Sequence, residues 1–209
     1  MTFSVRPMQW GDITQVTEID REAFPTQLPP ANYQHELKNQ LAHYIVACDK
    51  TKTIEETSTS PQSGLVRLLS RLKWWSNRDR LRGSQPPAIT RQFIVGFAGI
   101  WVLADEAHIT NIAVRKQYQR RGLGELLLLS LIDLAKELKT SIMTLEVRAS
   151  NIPAQKLYSK YGFTQVGIRH GYYIDNREDG ILMSTESITS APFQSRLQQL
   201  REALGQKLK

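Results

Sequence analysis

The segment Gln119-Arg120-Arg121-Gly122-Leu123-Gly124 stands at the start of the strongest helix predicted from this sequence. It follows an apolar run and opens the longest amphipathic pattern of the chain, which spans 123–138. The first N–H groups of a helix lack internal acceptors and lie at the positive end of its dipole, and glycines let a phosphate approach the backbone. The spacing is neither the G-x-G-x-x-G of a dinucleotide fold nor a P-loop, so an ordinary turn before a helix is equally compatible with this pattern alone.

Strand-like and helix-like segments alternate on both sides of this glycine segment. The predicted strands are 3–7, 43–48, 93–103, 108–114, 142–147, 163–169 and 180–188. The predicted helices are 12–22, 33–41, 123–138 and 153–161, the last with a proline in its first turn and Gly162 as its C-terminal cap. Residues 104–107 are predicted to connect the third and fourth strands as a hairpin. The order predicts a domain that mixes α-helices and β-strands.

Composition places the chain among folded proteins of ordinary type. Its 209 residues include 41% hydrophobic and 22% charged residues, which is enough to build a core. The longest nearly apolar stretch, 96–104, is about half of the ~20 residues that span a bilayer, and the N-terminus lacks the pattern of a secretory signal, so we expect a cytosolic protein. Cys48 is the single cysteine and the four histidines are scattered, so neither a disulfide framework nor a metal site is expected.

The positive charge is concentrated in one segment. Residues 50–91 hold nine Lys and Arg against three acidic residues, which accounts for +6 of the net +7. Ser, Thr, Gly and Pro dominate its flanks, so it is predicted to be a flexible insertion. Within it, Leu and Trp at 65, 68, 69, 72 and 75 predict a short basic amphipathic helix. We expect 65–82 either to contact an anionic surface, such as RNA, a ribosome or a membrane, or to remain solvated.

A second amphipathic pattern ends the chain. Apolar residues at 193, 197, 200, 204 and 208 predict a C-terminal helix within 190–209. It is expected to pack on its own domain, and a contact between two copies is the alternative. The oligomeric state is left open by the sequence.

Three further motifs flank the glycine segment and change how it is interpreted. Ile112-Ala113-Val114 precedes it, Leu145-Glu146-Val147-Arg148-Ala149-Ser150-Asn151 follows the long helix, and Tyr158 and Tyr161-Gly162-Phe163 come next. This set resembles the GNAT acyltransferases, which use acetyl-CoA, over most of 1–188 outside the insertion. The resemblance implies an α/β fold with a mixed, mostly antiparallel central sheet flanked by helices. The expected GNAT domain is 1–189, interrupted by the basic insertion at 50–91 and followed by the helix in 190–209.

The resemblance also implies roles for individual residues. Glu146 corresponds to the general base of the family, and Tyr158 to the acid that protonates the departing thiolate. The strand at 112–114 would hold the pantetheine arm of acetyl-CoA, and the segment 120–125 its pyrophosphate. The expected cofactor contacts are Ile112, Ala113, Val114, Arg120, Arg121, Gly122, Leu123, Gly124, Glu125 and Asn151. Direct transfer of this kind requires no metal.

The residues themselves support the two catalytic assignments more weakly. Thr144 and Glu146 share one face of the strand 142–147, and its apolar residues share the other. A carboxylate among apolar neighbours would be partly desolvated and suited to accept a proton, whereas a solvated glutamate at a strand end is the alternative. Tyr158 lies on the apolar face of its helix, so a core aromatic is the alternative there. A phenol of pKa about 10 can still donate a proton to a thiolate.

An N-terminal amine is the expected acceptor. Its pKa of about 7.7–8.0, against ~10.4 for a lysine side chain, makes the neutral form a few hundredfold more available to a modest base. Within the family, 111–114, 145–151 and 172–179 are similar to the branch that acetylates the N-terminal alanine of a ribosomal protein. We therefore expect a ribosomal-protein-like N-terminus that starts with Ala or Ser. Where this branch has Pro-Trp-Ser, the chain has Pro25-Thr26-Gln27.

Two alternatives follow from the same observations. The acceptor would be a lysine or a small amine if the first residue of Ala-starting or Ser-starting peptides were not modified. A binding module for a ribosome, RNA or a membrane surface, built on a GNAT scaffold, would bind polyanions without acetyl-CoA turnover.

Overall fold

The computed structural model describes residues 2–26, 31–56 and 89–208. Its strands are β1 (Phe3–Pro7), β2 (Ala42–Glu56), β3 (Ile89–Leu103), β4 (Glu106–Val114), β5 (Ile142–Arg148), β6 (Phe163–Tyr173) and β7 (Glu178–Thr185). Its helices are α1 (Ile13–Ala23), α2 (Tyr33–Glu36), α3 (Leu123–Glu137), α4 (Ile152–Lys160) and α5 (Ala191–Lys207), with short 3₁₀ turns at Trp10–Asp12 and Lys116–Tyr118. Within the described ranges, no helix is long and apolar enough to cross a membrane.

The strands form a seven-stranded sheet in the order β1-β2-β3-β4-β5-β7-β6. The pairs β1–β2, β3–β4, β5–β7 and β6–β7 are antiparallel, whereas β4–β5 is parallel. The parallel pair follows from the connection, because α3 carries the chain from the end of β4 back to the start of β5. The mixed, mostly antiparallel sheet expected from the sequence is confirmed.

The parallel pair separates halfway along its length. Register between β4 and β5 runs only as far as Ile109 opposite Leu145, although both strands continue. At the same level β4 has a bulge against β3, since Gly99 pairs with Asn111 and Ile100 with Ile109, which leaves Thr110 as the extra residue. Beyond this level β4 and β5 have no mutual ladder. A cleft therefore opens between the last residues of the two central strands.

Apolar side chains pack α3 and α1 against the sheet. On α3 the buried residues are Leu123, Leu127, Leu128, Leu129, Leu131, Ile132 and Ala135. Val16 and Ile19 of α1 pack in a cluster with Val46 and Phe97 of the sheet. By compactness the chain divides into one unit of Met1–Lys50 with Ile94–Lys209 and a second unit of Thr51–Phe93. The clefts and contacts described below lie in the first unit.

The C-terminal helix α5 packs on this same unit. Phe193, Leu197 and Leu204 are buried. Phe193 fills the space beside Gly162, where an added Cβ would meet its ring at 2.8 Å. Arg201 forms an ion pair with Asp133 of α3, with Nη2 2.7 Å from Oδ1. The helix thus runs along the length of α3, from Lys136 to the turn at Gly122, and contacts the C-terminal end of α4.

Three sequence predictions need correction. The predicted helix 33–41 ends at Glu36, because the Asn39 side chain accepts a hydrogen bond from the Leu41 backbone N–H and favours a turn. The predicted connection 104–107 is only two residues long, with Ala104 at φ 54°. The predicted insertion 50–91 has strands at both ends, since β2 continues to Glu56 and β3 begins at Ile89. The predicted basic helix and the proposed contact segment 65–82 lie outside the described residues.

Candidate active site

Glu146 is the first residue of β5 beyond the level at which β4 and β5 separate. Its side chain is 6% exposed, so the alternative of a solvated strand-end glutamate is wrong. The expectation of apolar neighbours is also wrong, because Oε2 lies 3.0 Å from His108 Nε2 and Oε1 lies 3.1 Å from Arg169 Nη1. The pairs to the neighbouring strand β4 and to β6, which lies beyond β7, keep the buried carboxylate oriented toward the start of the cleft.

His108 contacts Thr144, which in turn contacts Glu106. Its Nδ1 lies 2.9 Å from Thr144 Oγ1, and Thr144 Oγ1 donates to Glu106 Oε1 at 2.5 Å. The parallel register sets His108 opposite Thr144, and the alternation of β5 brings Glu146 to the same face. In the sequence, His108 is only one of four scattered histidines. The contact depends on strand register, which the spacing of the residues does not reveal.

The other side of Glu146 is covered by β6. Arg169 lies with its guanidinium carbon 5.4 Å from the centre of the Tyr172 ring. Burial and the nearby Glu146 charge raise the pKa of Tyr172, so that its hydroxyl remains protonated beside the carboxylate. From the sequence, Tyr172 was predicted only as part of the motif 172–179 and Arg169 was not predicted, because β7 lies between β5 and β6 in the sheet.

Tyr158 lies on α4 with its side chain packed against Phe163, the ring centres 5.8 Å apart. Burial raises the pKa of the phenol. No described residue hydrogen-bonds its hydroxyl, yet no buried side-chain nitrogen or oxygen in the described ranges lacks a partner. The hydroxyl oxygen is therefore not fully enclosed, although the ring is packed. Tyr158 is thus a core aromatic, and its role as the acid stays a prediction.

The glycine segment forms the turn that starts α3. Gly122 is the N-cap at φ 84°, a left-handed conformation that favours glycine, and Arg120 has φ 62°. No side chain caps this helix start. At Gly124 an added Cβ would meet only Leu157, at 3.5 Å. The first-turn N–H groups are thus unobstructed by a side chain at this position, as a site for an anion requires.

Charged side chains surround this helix start. The guanidinium carbon of Arg121 lies 5.2 Å from the ring centres of both Phe3 and Tyr118. These cation–π contacts fix the position of its charge. Glu125 accepts hydrogen bonds from Lys160, from the Tyr161 hydroxyl at 3.0 Å and from Lys207 at 3.2 Å. Burial acts against the Glu125 carboxylate, but these donors outweigh it and lower its pKa. The two lysines were not predicted from the sequence, because they reach α3 from α4 and α5.

The remaining predicted cofactor residues lie along the cleft. Residues 112 and 114 of β4 are half-buried and Ala113 is buried, all beyond the end of the β4–β5 ladder. Asn151 caps α4, its Oδ1 accepting from the Ala154 N–H at 3.2 Å, and it is exposed. In the described part of the chain, no group of three or more His, Cys, Asp or Glu side chains could hold a metal ion.

Arg148 joins two loops at the far end of β5. It pairs with Asp175 at 2.8 Å and Glu178 at 3.1 Å, and its guanidinium lies 4.0 Å from the centre of the Tyr173 ring. Its Nη2 also reaches Thr26 Oγ1 at 3.5 Å, in the loop after α1. Hydrogen bonds from Ser150, together with Arg148, lower the pKa of Glu178 to about 2. The turn between β6 and β7 is therefore fixed beside the loop in which the sequence lacks Trp-Ser.

The mixed sheet, whose central parallel strands separate beside the buried Glu146 carboxylate, and the uncapped start of α3 are the arrangement expected of an acyltransferase. The model of the acetyltransferase (GNAT) family matches residues 53–163, and the chain belongs to this family. It is 34% identical over 181 residues, 86% of its length and 93% of the relative, to a Bacillus subtilis (strain 168) protein provisionally named a ribosomal protein bS18-alanine N-acetyltransferase.

Two further comparisons involve Escherichia coli. The ribosomal protein bS18-alanine N-acetyltransferase of strain K12 is 46% identical over 93 residues, which cover 44% of this chain and 63% of that protein. The crystal structure of the ribosomal-protein-S18-alanine N-acetyltransferase from Escherichia coli matches with a TM-score of 0.60 at 25% identity. That alignment covers 90% of this chain and 97% of the other.

Proposed function

We propose that this protein transfers the acetyl group of acetyl-CoA to the N-terminal α-amine of a protein, with a ribosomal-protein-like N-terminus that starts with Ala or Ser as acceptor. The observation that carries the proposal is the Glu146 carboxylate, 6% exposed, at the point where β4 and β5 separate. The names of the bacterial relatives support the acceptor class. The pKa of an α-amine, about 7.7–8.0, makes it a better match than lysine for a carboxylate base.

The residues along the cleft fit acetyl-CoA. The uncapped start of α3, with glycine at 122 and 124, suits the pyrophosphate, and Arg120, Arg121, Leu123 and Glu125 complete that turn. The unpaired edge of β4 at Ile112, Ala113 and Val114 offers backbone hydrogen bonds to the pantetheine amides. The Asn151 amide N–H₂ is directed to no described partner and suits a further contact. Acetyl-CoA would supply the activated thioester.

Glu146 and Tyr158 then divide the proton transfers. Glu146 accepts a proton from the ammonium form of the acceptor, which leaves a neutral amine to attack the thioester carbonyl. Tyr158 donates its proton to the departing thiolate, and the phenolate then takes the second proton from the acetylated nitrogen, which restores the phenol. Burial raises the pKa of this phenol, so it keeps its proton throughout the pH range in which the amine becomes neutral. The arrangement needs no covalent intermediate on the enzyme.

The proposal is tested by incubating the protein with acetyl-CoA and peptides that start with Ala, Ser or another residue. Intact mass, followed by fragment sequencing, locates the acetyl group. We expect one acetyl group on the first residue of Ala-starting or Ser-starting peptides. A blocked N-terminus with an internal lysine is the control. Acetylation of that lysine alone would replace the proposal by a lysine acetyltransferase.

Tyr158→Phe is expected to slow turnover roughly tenfold, with little change in acetyl-CoA affinity. The effect is smaller than that of a lost base because a thiolate, with a thiol pKa of about 8.5 in model compounds, departs with modest help. The ring packing against Phe163 is preserved, so the melting temperature is expected to stay within a few degrees. Steady-state kinetics and thermal melting measure both. Full activity in the variant would leave Tyr158 as a core residue.

We also propose that the basic segment at 65–82 contacts an anionic surface such as RNA. Replacing 57–88 by a short Gly/Ser linker between the neighbouring strands β2 and β3 should leave turnover on short peptides within about threefold, since loop length costs little and the candidate site lies elsewhere. Affinity for a ribosomal RNA fragment should fall, and its salt dependence should flatten. Loss of peptide turnover would place the segment in the acceptor site instead.

A further inference from the structure

Four side chains form a continuous hydrogen-bonded chain that ends on Glu146. Glu106 Oε1 lies 2.5 Å from Thr144 Oγ1, Thr144 Oγ1 lies 2.9 Å from His108 Nδ1, and His108 Nε2 lies 3.0 Å from Glu146 Oε2. The hydrogen-bonded chain alternates between β4 and β5 along their paired region and ends on Glu146, the first residue of β5 beyond it. Its Glu146 end is buried, while His108 is partly exposed.

The hydrogens available within this hydrogen-bonded chain determine which ring nitrogen of a neutral His108 carries the hydrogen. Thr144 has one hydroxyl hydrogen, which it donates to the Glu106 carboxylate, because an ionised carboxylate only accepts. Thr144 must therefore accept from His108 Nδ1, which places the ring hydrogen of a neutral His108 on Nδ1. The Nε2 lone pair then faces the Glu146 carboxylate across 3.0 Å. A proton taken up between these two acceptors is therefore shared by both.

We infer that Glu106 and Thr144 are positioning residues that fix the His108 tautomer, so that His108 and Glu146 act as a single base. This inference rests on the proposed function. A proton leaves the acceptor ammonium, its bonding electrons remain on the amine nitrogen, and the proton binds to Glu146 Oε2, shared with His108 Nε2. After turnover it passes to water. The opposite tautomer would donate Nε2–H to Glu146 and occupy the lone pair that the reaction needs.

The other groups that face this pair do not perform the same task. Arg169 of β6 contacts the second oxygen, Oε1, with its guanidinium 3.1 Å away, and cannot accept a proton. Tyr172, also on β6, contacts Glu146, and Tyr173 lies close enough for the Glu146 charge to affect its pKa. Burial raises the pKa of both phenols. Both therefore remain protonated. Among the described groups around Glu146, only His108 Nε2 can share an accepted proton.

The matched variants are Thr144→Val and Thr144→Ser. Valine keeps the shape of threonine but removes the oxygen that accepts from Nδ1, and serine keeps that oxygen. We expect Thr144→Val to lower kcat about tenfold with the acetyl-CoA affinity unchanged, and Thr144→Ser to stay within about threefold of the parent. If Thr144 only stabilised the strand, Thr144→Val would retain more activity than Thr144→Ser, because valine suits a strand better than serine does. The expected order of kcat is the opposite.

The tautomer itself is measured by ¹⁵N NMR of the histidine rings at a pH where they are neutral, with His108→Gln to assign the signal. We expect the hydrogen on Nδ1 in the parent and in Thr144→Ser, and on Nε2 in Thr144→Val. This measurement uses no substrate, so it distinguishes failure of the inference from failure of the proposed function. An Nε2–H tautomer in the parent, or equal kcat in the two variants, would overturn the inference.

Discussion

Glu146→Gln is expected to lower peptide acetylation by about 10²–10⁴-fold, the range typical for loss of a general base. Glutamine has nearly the same shape as glutamate, but its amide cannot accept the proton of the acceptor ammonium. The acetyl-CoA affinity should be unchanged, because the pyrophosphate is held at the start of α3. The loss should therefore appear in kcat rather than in the binding of acetyl-CoA.

The variant should fold, because the cation that it leaves unpaired is solvated. Arg169, the partner of Oε1, is 53% exposed, so water solvates its guanidinium when the carboxylate is replaced by an amide. Glu186→Gln is the matched control, since Glu186 is exposed at the end of β7 and the change in net charge is the same. If Glu146→Gln turned over peptide at the parent rate from pH 6 to 9, Glu146 would be a structural residue.

Local patterns predicted the elements that depend on local sequence. The bounds of β1 and α3 agree with prediction within one residue, because each has a clear periodicity and α3 begins at a glycine turn. The four-residue α2 was predicted as nine, since the polar turn at Asn39 stops a helix that the apolar spacing favours. The continuation of β2 to Glu56 and the start of β3 at Ile89 were not predicted, because the polar composition of these residues is not typical of strands.

The catalytic candidates were predicted, but the environment of each was not. Glu146 is held by His108 and Arg169, which belong to strands 38 and 23 residues away in the chain, and strand register determines which side chains meet. The contact of Lys207, in the C-terminal helix, with Glu125 was not predicted for the same reason. Sequence spacing describes the face of one strand or helix. Contacts between elements need the topology of the sheet.

Gly124→Asp is expected to abolish measurable acetyl-CoA binding. The carboxylate would lie in the first turn of α3, where the pyrophosphate is proposed to bind. Two like charges about 4 Å apart cost roughly 4 kcal/mol at an effective dielectric constant of about 20, which is on the order of a thousandfold in affinity. Gly122 is unsuitable for this test, because φ is 84° and an added Cβ would lie 3.0 Å from Leu204 of α5.

The same substitution should leave the fold intact, which makes its effect on binding interpretable. The new Cβ meets only Leu157, at an ordinary 3.5 Å, and an acidic residue in the first turn of a helix is favourable by about 0.3–1 kcal/mol. We therefore expect an unchanged or higher melting temperature without acetyl-CoA, and no further rise when acetyl-CoA is added. Gly124→Ala separates bulk from charge and should bind within about tenfold of the parent, and Gln199→Glu on α5 controls for net charge. Because the aspartate favours the helix and opposes only an anion, acetyl-CoA binding by Gly124→Asp with parental affinity, measured by calorimetry, would place the pyrophosphate elsewhere.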